Sequence, residues 1–245
     1  MIELRDITLS FGSRTLVANA SARFECGEMT ALLGRNGAGK STLLRAIASL
    51  GDLQGGVITI NGVSINELRS AELARMMAFV NTERVQVEAM TAYDLVAVGR
   101  SPHTDWSGRL RSHDHEVVER SLQVAGVEHL AERYVETLSD GECQRVMIAR
   151  ALAQETPAIL LDEPTSYLDM PNRYELCTLL SRLAHDEGKC VIFSTHELDN
   201  IALVDNPQLY YMPTDEMIAS GNIERLFDSR HVAFDAATRS IRFKR

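Results

Sequence analysis

Residues 34–42 carry the clearest chemical signal in the sequence, because they fit G-x-x-x-x-G-K-[ST] at every fixed position. They are, in order, Gly34, Arg35, Asn36, Gly37, Ala38, Gly39, Lys40, Ser41 and Thr42. A triphosphate needs several inward-pointing backbone N–H groups, and small residues such as Gly37 and Gly39 let the backbone come close enough. The Lys40 ammonium would reach the β- and γ-phosphates, and the Ser41 hydroxyl would bind Mg²⁺. The segment therefore predicts a phosphate-binding loop.

Polar residues also follow two apolar, strand-like runs further along the chain. Asp162 and Glu163 come directly after residues 158–161, and His196 follows shortly after residues 190–193. Carboxyl ends of parallel strands line the crevice where open α/β sheets bind ligands. Asp162 is suited to hold Mg²⁺ through water, and Glu163 to orient and deprotonate an attacking water, which favours hydrolysis over transfer to a second substrate. His196 alone would more often be a packing or capping residue, but at this strand end it is a candidate γ-phosphate sensor.

The elements that must position these residues form an α/β pattern. Partly alternating runs at residues 2–9 and 15–24 predict an antiparallel sheet before the loop. An apolar strand and an apolar helix flank the loop itself, and the middle of the chain, at about residues 84–155, is mostly helical. Residues 208–212 and 216–219 predict a hairpin, followed by a short helix and a last pair of strands. We therefore expect a helical insertion within an α/β domain.

Composition limits the classes of function. With 245 residues, 45% of them hydrophobic, the chain is long enough to bury a sizeable core in one domain. A net charge of −9 argues against broad contact with nucleic acid. We find no apolar run of the roughly 18 residues that a membrane span needs, and no secretory signal, so we expect a cytoplasmic protein. Its four cysteines lack metal-site or redox spacing and are expected to be reduced thiols.

The order and spacing of these segments closely resemble the nucleotide-binding subunits of ABC transporters, over nearly the whole chain. The matching segments are residues 34–42, 138–142 with Gln144 and Arg145, 160–165, 166–169, and Thr195 with His196. The resemblance implies a P-loop NTPase core over residues 2–237, with an N-terminal antiparallel β subdomain and the helical subdomain inserted. It implies ATP and Mg²⁺ as ligands, Phe11 stacked on adenine, and His196 as a switch histidine.

The resemblance also gives a role to residues 138–142, which have no other local ligand. Here it implies that Ser139, Asp140, Gly141 and Glu142 contact the γ-phosphate held by an opposite subunit, and that Asp169 contacts the dimer interface. The helix start supplies N–H groups and a dipole that favour an anion. Two chains would close head to tail around ATP, and hydrolysis would reopen the homodimer. The implied partners are polytopic membrane permease subunits and a substrate-binding protein, at the cytoplasmic face of the inner membrane.

Within the family, residues 99–103 and 149–154 resemble importers of iron-siderophore complexes, haem or cobalamin. The alternative is a soluble ABC-type ATPase that acts as an assembly factor, for example with an iron–sulfur cluster scaffold. A small-molecule kinase with a phosphate loop would leave residues 138–142 unexplained.

The chain departs from the family at two places. The first is at residues 140–142, where the family has Gly-Gly-Gln and this chain has Asp-Gly-Glu, so that a carboxylate lies near the phosphate-facing helix start; Asp140 acting as a helix cap is the simple alternative. The second follows Val80, where the family's Pro-Gln is replaced by Asn81, Thr82 and Glu83. Our hypothesis is that Glu83 replaces the missing glutamine as an Mg²⁺ contact, against the alternative of a solvated loop residue. Thr82 is shorter and could act only through water.

Overall fold

The structure is a computed structural model that describes residues 1–81, 87–166, 168–195, 201–205, 208–212, 214–221, 223, 232–235 and 240–243. The chain divides into two compact units. The first unit comprises Met1–Glu25, Met29–Ser64 and Ile192–Arg245, and the second comprises Cys26–Glu28 and Ile65–Val191.

The described chain contains both strands and α-helices, with three helices in succession in its middle part. The strands are β1 (Ile2–Phe11), β2 (Arg14–Phe24), β3 (Met29–Leu33), β4 (Gly55–Ile60), β5 (Val63–Ser64), β6 (Met77–Val80), β7 (Ala158–Leu161), β8 (Cys190–Ser194), β9 (Ile201–Asp205), β10 (Gln208–Met212), β11 (Val232–Asp235) and β12 (Ser240–Phe243). The α-helices are α1 (Lys40–Ile47), α2 (Ser70–Leu73), α3 (Ala92–Ala97), α4 (Ser112–Val124), α5 (Asp140–Ala153), α6 (Met170–His185) and α7 (Thr214–Ala219). Short 3-10 turns include Val98–His103 and Val135–Thr137.

The first unit holds the predicted antiparallel sheet, which is confirmed, with strand order β2-β1-β4-β5. Strand β1 buries Ile2 and Leu4, and then Ile7 and Leu9, since alternate side chains of a strand face the same side. A register shift between Leu4 and Ile7 lets both pairs enter the core. A second set of strands in this unit has the order β10-β9-β3-β8, in which β3 and β9 are parallel. All residues of β3 are buried, as expected for a parallel strand covered on both faces.

The second unit contains parallel strands β6 and β7 and helices α2 to α6; α5 packs on β6, and α3 and α4 pack on α5. Strand β8 begins in the second unit and ends in the first. Its first residue, Cys190, donates its backbone N–H to the Pro157 carbonyl at 2.9 Å. The helix α5 is buried along most of its length, including Val146, Ala149 and Ala153. In the described residues, no helix is long and apolar enough to cross a membrane.

The end of the chain differs from the sequence prediction. Residues 216–219 lie in helix α7 rather than in a strand, so the predicted hairpin partner is wrong. The partner of β10 is β9, which precedes it and pairs with it in antiparallel fashion. The predicted last pair of strands is confirmed as β11 and β12. Of the short helix predicted before these two strands, at residues 223–227, only Ile223 lies within the described residues.

Candidate active site

The predicted phosphate loop connects β3 to α1, and its backbone needs glycine. Gly37 and Gly39 have φ angles of 76° and 102°, in the left-handed region that other residues rarely adopt. A Cβ added at Gly39 would also lie 3.1 Å from the Leu16 Cβ. Gly37 has no such neighbour, since nothing lies within 4 Å of a Cβ added there. At Gly37 and Gly39 the loop therefore has the conformation, without a side chain, that lets backbone approach a bound phosphate.

The start of α1 combines a helix dipole with a cation. Gly39 is the N-cap residue, no side chain caps the helix, and its first turn contains no acidic residue. Lys40 is only 5% exposed, and its Nζ donates to the carbonyl oxygens of Gly34 at 2.9 Å and Arg35 at 3.4 Å. The ammonium is thus held against the loop, at the positive end of the helix. These residues fit a polyphosphate in charge and in backbone shape.

Phe11, which is predicted to stack on adenine, and Thr195, which precedes the predicted sensor His196, both lie in the first unit. Phe11 ends β1 and is 77% exposed, so its ring surface is accessible. Thr195 donates its backbone N–H to the Leu32 carbonyl at 3.2 Å, beside the end of β3 from which the phosphate loop continues. His196, the next residue, lies outside the described residues. Its predicted role as a γ-phosphate sensor stays a prediction.

Asp162 and Glu163 lie in the second unit, where the sequence placed them, directly after β7. Asp162 is 4% exposed, and its backbone N–H donates to the Val80 carbonyl at 2.8 Å, so that the ends of β6 and β7 are adjacent. The segment that holds Thr82 and Glu83 begins just beyond β6, but both residues lie outside the described part of the chain. The hypothesis that either replaces the family glutamine is therefore still open.

Glu163 is held in an unusual backbone conformation. Its φ angle is 45°, in the left-handed region, which costs a non-glycine residue on the order of 1 kcal/mol. The Ser166 hydroxyl donates to the Glu163 carbonyl oxygen at 2.9 Å and lies 3.2 Å from its Oε2. Ser166 therefore positions both the backbone and the carboxylate of the predicted base. Sequence reasoning included Ser166 in a matching segment but gave it no role.

The start of α5 is a complete capping box, made by Ser139 and Glu142. The backbone N–H and the hydroxyl of Ser139 both donate to Glu142 Oε2, at 2.7 and 2.8 Å, and the Glu142 N–H donates to Ser139 Oγ at 3.3 Å. These bonds, first from the backbone N–H and then from the hydroxyl, hold the pKa of Glu142 below its usual range. The N-cap residue is Ser139, so the interpretation of Asp140 as the cap is wrong.

The first turn of α5 packs on the segment that leads into α6. A Cβ added at Gly141 would lie 3.1 Å from Leu168 Cδ2, so only glycine fits without displacing that side chain. Asp169 caps α6, since its Oδ1 accepts from the backbone N–H of Asn172 at 3.0 Å. Arg145 of α5 donates to the Asn172 side chain at 2.8 Å. The predicted contact residues Gly141 and Asp169 thus belong to one packed group.

A family model described as ABC transporter matches residues 17–166, which include the phosphate loop, the start of α5 and the end of β7. The chain belongs to the ABC transporter family. Its fold is the α/β ABC ATPase fold, with the antiparallel sheet and the parallel strands described above. The chain is accordingly an ATP-binding protein and an ATPase.

Several relatives cover most of the chain. An uncharacterised ABC transporter ATP-binding protein of Methanocaldococcus jannaschii is 36% identical over 96% of this chain and 83% of its own length. The ferric enterobactin transport ATP-binding protein of Escherichia coli is 35% identical over 94% of this chain and 88% of its own. The iron(3+)-hydroxamate import ATP-binding protein of Bacillus subtilis is 34% identical over 82% of this chain and 75% of its own.

Solved structures of ABC proteins share the fold. A protein described as a metal-chelate type ABC transporter, in an inward-facing conformation, superposes with a TM-score of 0.82 at 27% identity, over 99% of this chain and 95% of that one. A dimeric ATP-binding cassette in a post-hydrolysis state, bound to ADP and phosphate, superposes with a TM-score of 0.75 at 27% identity, over 87% and 99% of the two chains.

The segment 99–103, which suggests the metal-chelate subgroup of ABC transporters, begins with two residues buried in the second unit, Gly99 and Arg100. Arg100 is 2% exposed and donates to Asp114 at 2.9 Å, to the Ala153 carbonyl at 2.7 Å and to Glu155 at 2.7 Å. Gly99 lies against the Arg150 carbonyl, where a Cβ would clash. This cluster ties α4 to the end of α5, and its charges are paired with one another as burial requires.

Proposed function

We propose that this ABC ATPase energises the import of a metal chelate of the iron-siderophore, haem or cobalamin type. The observation that carries the proposal is the 35% identity over 94% of the chain to the ferric enterobactin transport ATP-binding protein of Escherichia coli. The similarity to a metal-chelate type transporter over 99% of the chain supports the same substrate class. Both siderophore-related relatives cited above favour iron-siderophore complexes within that class.

The proposal gives each site residue a role in binding and hydrolysing ATP. Phe11 stacks on the adenine ring, residues 34–42 bind the phosphates, and Lys40 neutralises the β- and γ-phosphates. Mg²⁺ is the metal that suits a hydroxyl such as Ser41 and a carboxylate such as Asp162. Glu163 orients and deprotonates the attacking water, and His196 senses the γ-phosphate. These assignments are supported by the start of α1, which has no side-chain cap and begins with Lys40, and by the restrained Glu163 backbone.

The proposal further requires a dimer and membrane partners. Two copies of the chain bind ATP between them, with Ser139, Asp140, Gly141 and Glu142 of each copy directed to the other copy's nucleotide and Asp169 at the interface. The dimeric cassette with ADP and phosphate supports this arrangement. Polytopic permease subunits and a substrate-binding protein complete the importer, so the chain lies peripherally at the cytoplasmic face of the cell membrane.

Glu163→Gln tests the hydrolytic part of the proposal. The amide keeps the shape of the carboxylate but cannot accept the proton, so we expect ATP hydrolysis to fall about 100- to 1000-fold. Mg²⁺-ATP should still bind and should hold the variant as a dimer in sedimentation velocity. Glu187→Gln, at an exposed acid of the same unit, should change neither property. A Glu163→Gln protein that stays monomeric and hydrolyses at the parent rate would contradict both the base and the dimer.

The metal contact after β6 has a separate test. Glu83→Ala should weaken the Mg²⁺ dependence of hydrolysis and lower turnover. Thr82→Ala should change both properties less, because only the longer glutamate side chain is long enough to bind a metal directly. The measurement is a Mg²⁺ titration of ATPase activity for both variants. An unchanged titration and turnover in Glu83→Ala would show that this residue is a solvated loop residue.

The transport part is tested in cells and by purification. A strain lacking the gene should lose uptake of one among ferric siderophores, haem and cobalamin, and the wild-type gene but not Glu163→Gln should restore it. Affinity purification from membranes should yield a polytopic membrane protein. Recovery of a soluble scaffold protein instead, with normal uptake of all three substrates, would replace transport by the assembly role.

A further inference from the structure

The Ser139 hydroxyl, the side chain proposed to contact a partner subunit's nucleotide, is already engaged within its own chain. Its proton is donated to Glu142 Oε2 at 2.8 Å, and its oxygen accepts the Glu142 backbone N–H at 3.3 Å. The Ser139 backbone N–H donates to the same carboxylate oxygen at 2.7 Å. Glu142 therefore takes two donors of Ser139 at once.

A serine hydroxyl has only one proton to donate. While Glu142 accepts it, the hydroxyl cannot donate to a phosphate oxygen. Glu142 also adds a negative charge at the helix start, where the dipole would otherwise attract an anion. The carboxylate thus occupies the same donors, and satisfies the same dipole, that an incoming phosphate would use.

Arg133 lies on the other side of the Glu142 carboxylate. Its Nη1 is 3.4 Å from Glu142 Oε1, and its Nη2 donates to the Thr137 carbonyl at 2.8 Å, which fixes the guanidinium against the turn before α5. The two carboxylate oxygens are therefore divided, with Oε2 on Ser139 and Oε1 facing Arg133. A small rotation of the Glu142 side chain toward Arg133 would release the Ser139 hydroxyl and keep the carboxylate paired.

We propose that Glu142 is a built-in competitor for the phosphate at Ser139, and that Arg133 receives the carboxylate when ATP displaces it. Glu142 is then a positioning residue that sets the ATP concentration at which two chains close. This inference rests on the proposed function, because it assumes that Ser139 faces the γ-phosphate bound by a second copy of the chain.

The test measures ATP-driven dimerisation of the purified full chain in a Glu163→Gln background, in which ATP is not consumed. Sedimentation velocity across a Mg²⁺-ATP titration gives the ATP concentration at which dimer formation is half-maximal, which we call the half-point. Glu142→Gln should lower that concentration on the order of fivefold, since a partly exposed charge interaction contributes about 1 kcal/mol or less. Glutamine can still accept from Ser139 and cap the helix, but its neutral amide oxygen is a weaker acceptor than the carboxylate, so a phosphate displaces it more readily. Glu136→Gln, which removes a nearby exposed charge, should leave the half-point unchanged.

Arg133 provides a second variant with the opposite expected sign. Arg133→Ala removes the alternative partner of Glu142 and should raise the half-point, while Arg133→Lys should restore part of the difference. In the Glu142→Gln background, Arg133→Ala should have little further effect, because the carboxylate that it receives is gone. A purely structural role for Arg133 would produce the same shift with or without Glu142, and that result would overturn the proposal.

The remaining outcomes separate this inference from the proposed function. No ATP-dependent dimer in the Glu163→Gln background would reject the proposed function itself. A normal dimer whose half-point is unchanged or raised in Glu142→Gln would leave the proposed function standing and reject the competition by Glu142.

Discussion

Helices α1 and α5 both begin with residues predicted to contact phosphate, but their first turns are built in opposite ways. Helix α1 follows the left-handed Gly39, has no side-chain cap and no acid in its first turn, and begins with Lys40. Helix α5 follows Ser139 in a capping box, and its first turn contains Asp140 and Glu142. A helix start favours negative charge, which either a ligand or a side chain of the helix can supply. The first turn of α5 contains such side chains, and that of α1 does not.

This difference separates binding from stability. A capping box satisfies orphan N–H groups and stabilises a helix by about 1 kcal/mol without any bound ligand. The start of α1 has no such cap, and the glycines before it adopt conformations that other residues rarely adopt. We infer that α1 is shaped for a phosphate at some cost in stability, while α5 is stable by itself and must give up part of its cap to bind one.

Lys40→Ala should have the largest effect on the difference between the two helix starts, because it removes the cation at the start of α1. We expect ATP binding to weaken and turnover to fall by at least about 100-fold, the usual loss when one preorganised charge partner of a transferring phosphoryl group is removed. Equilibrium binding of a fluorescent ATP analogue and an ATPase assay measure both. Arg45→Ala, at an exposed residue of the same helix, is the control and should bind normally. Full ATP affinity and full turnover in a folded Lys40→Ala protein would contradict the assignment of residues 34–42 as a phosphate-binding loop.

The start of α1 could be predicted from sequence because its requirements are local. Positive φ angles demand glycine at residues 37 and 39, and a lysine at a fixed spacing follows them. The buried strands β3, β7 and β8 could be predicted for a similar reason, since short continuous apolar runs are typical of parallel strands. Asp162 and Glu163 then followed from their position after β7.

The start of α5 was only partly predictable. Ser139 and Glu142 have the S-x-x-E spacing of a capping box, so the signal was present in the sequence. The position of Arg133 depends on the 3-10 turn Val135–Thr137, which no hydrophobic periodicity in the sequence predicts. The burial of Arg100 depends on partners 14, 53 and 55 residues away, so it required the folded chain. The error at residues 216–219 arose because four residues are too few to separate a strand from a helix.

Gly39→Ala tests whether the start of α1 requires glycine because of its backbone conformation alone or also because of packing. Both Gly37→Ala and Gly39→Ala force a left-handed alanine, which costs roughly 1–2 kcal/mol. Only Gly39→Ala places its Cβ against Leu16, at 3.1 Å from Cβ to Cβ. We expect Gly39→Ala to lower the unfolding temperature, measured without nucleotide, by about 2–4 °C more than Gly37→Ala, corresponding to about 1 kcal/mol. Equal losses would mean that Leu16 moves aside at no measurable cost.

The smallest expected effect concerns the acid dependence of the α5 start. The pKa of Glu142 is lowered by the Ser139 N–H and hydroxyl and, more weakly, by Arg133 and His129. A carboxyl whose folded pKa is depressed contributes stability that is present above its unfolded pKa, near 4.5, and is lost as the pH falls through the folded value.

The unfolding temperature of the parent should therefore exceed that of Glu142→Gln by about 1–2 °C at pH 6, an effect kept small by solvent screening of this partly exposed side chain. The gap should shrink as the pH is lowered from 5 toward 3, because the protonated carboxyl resembles the amide in charge. Glu136→Gln should give no such pH-dependent gap. A gap that stays constant from pH 6 to 3 would show that the bonds between Ser139 and Glu142 do not depend on charge, and the cap of α5 would then compete with an incoming anion through its hydrogen bonds alone.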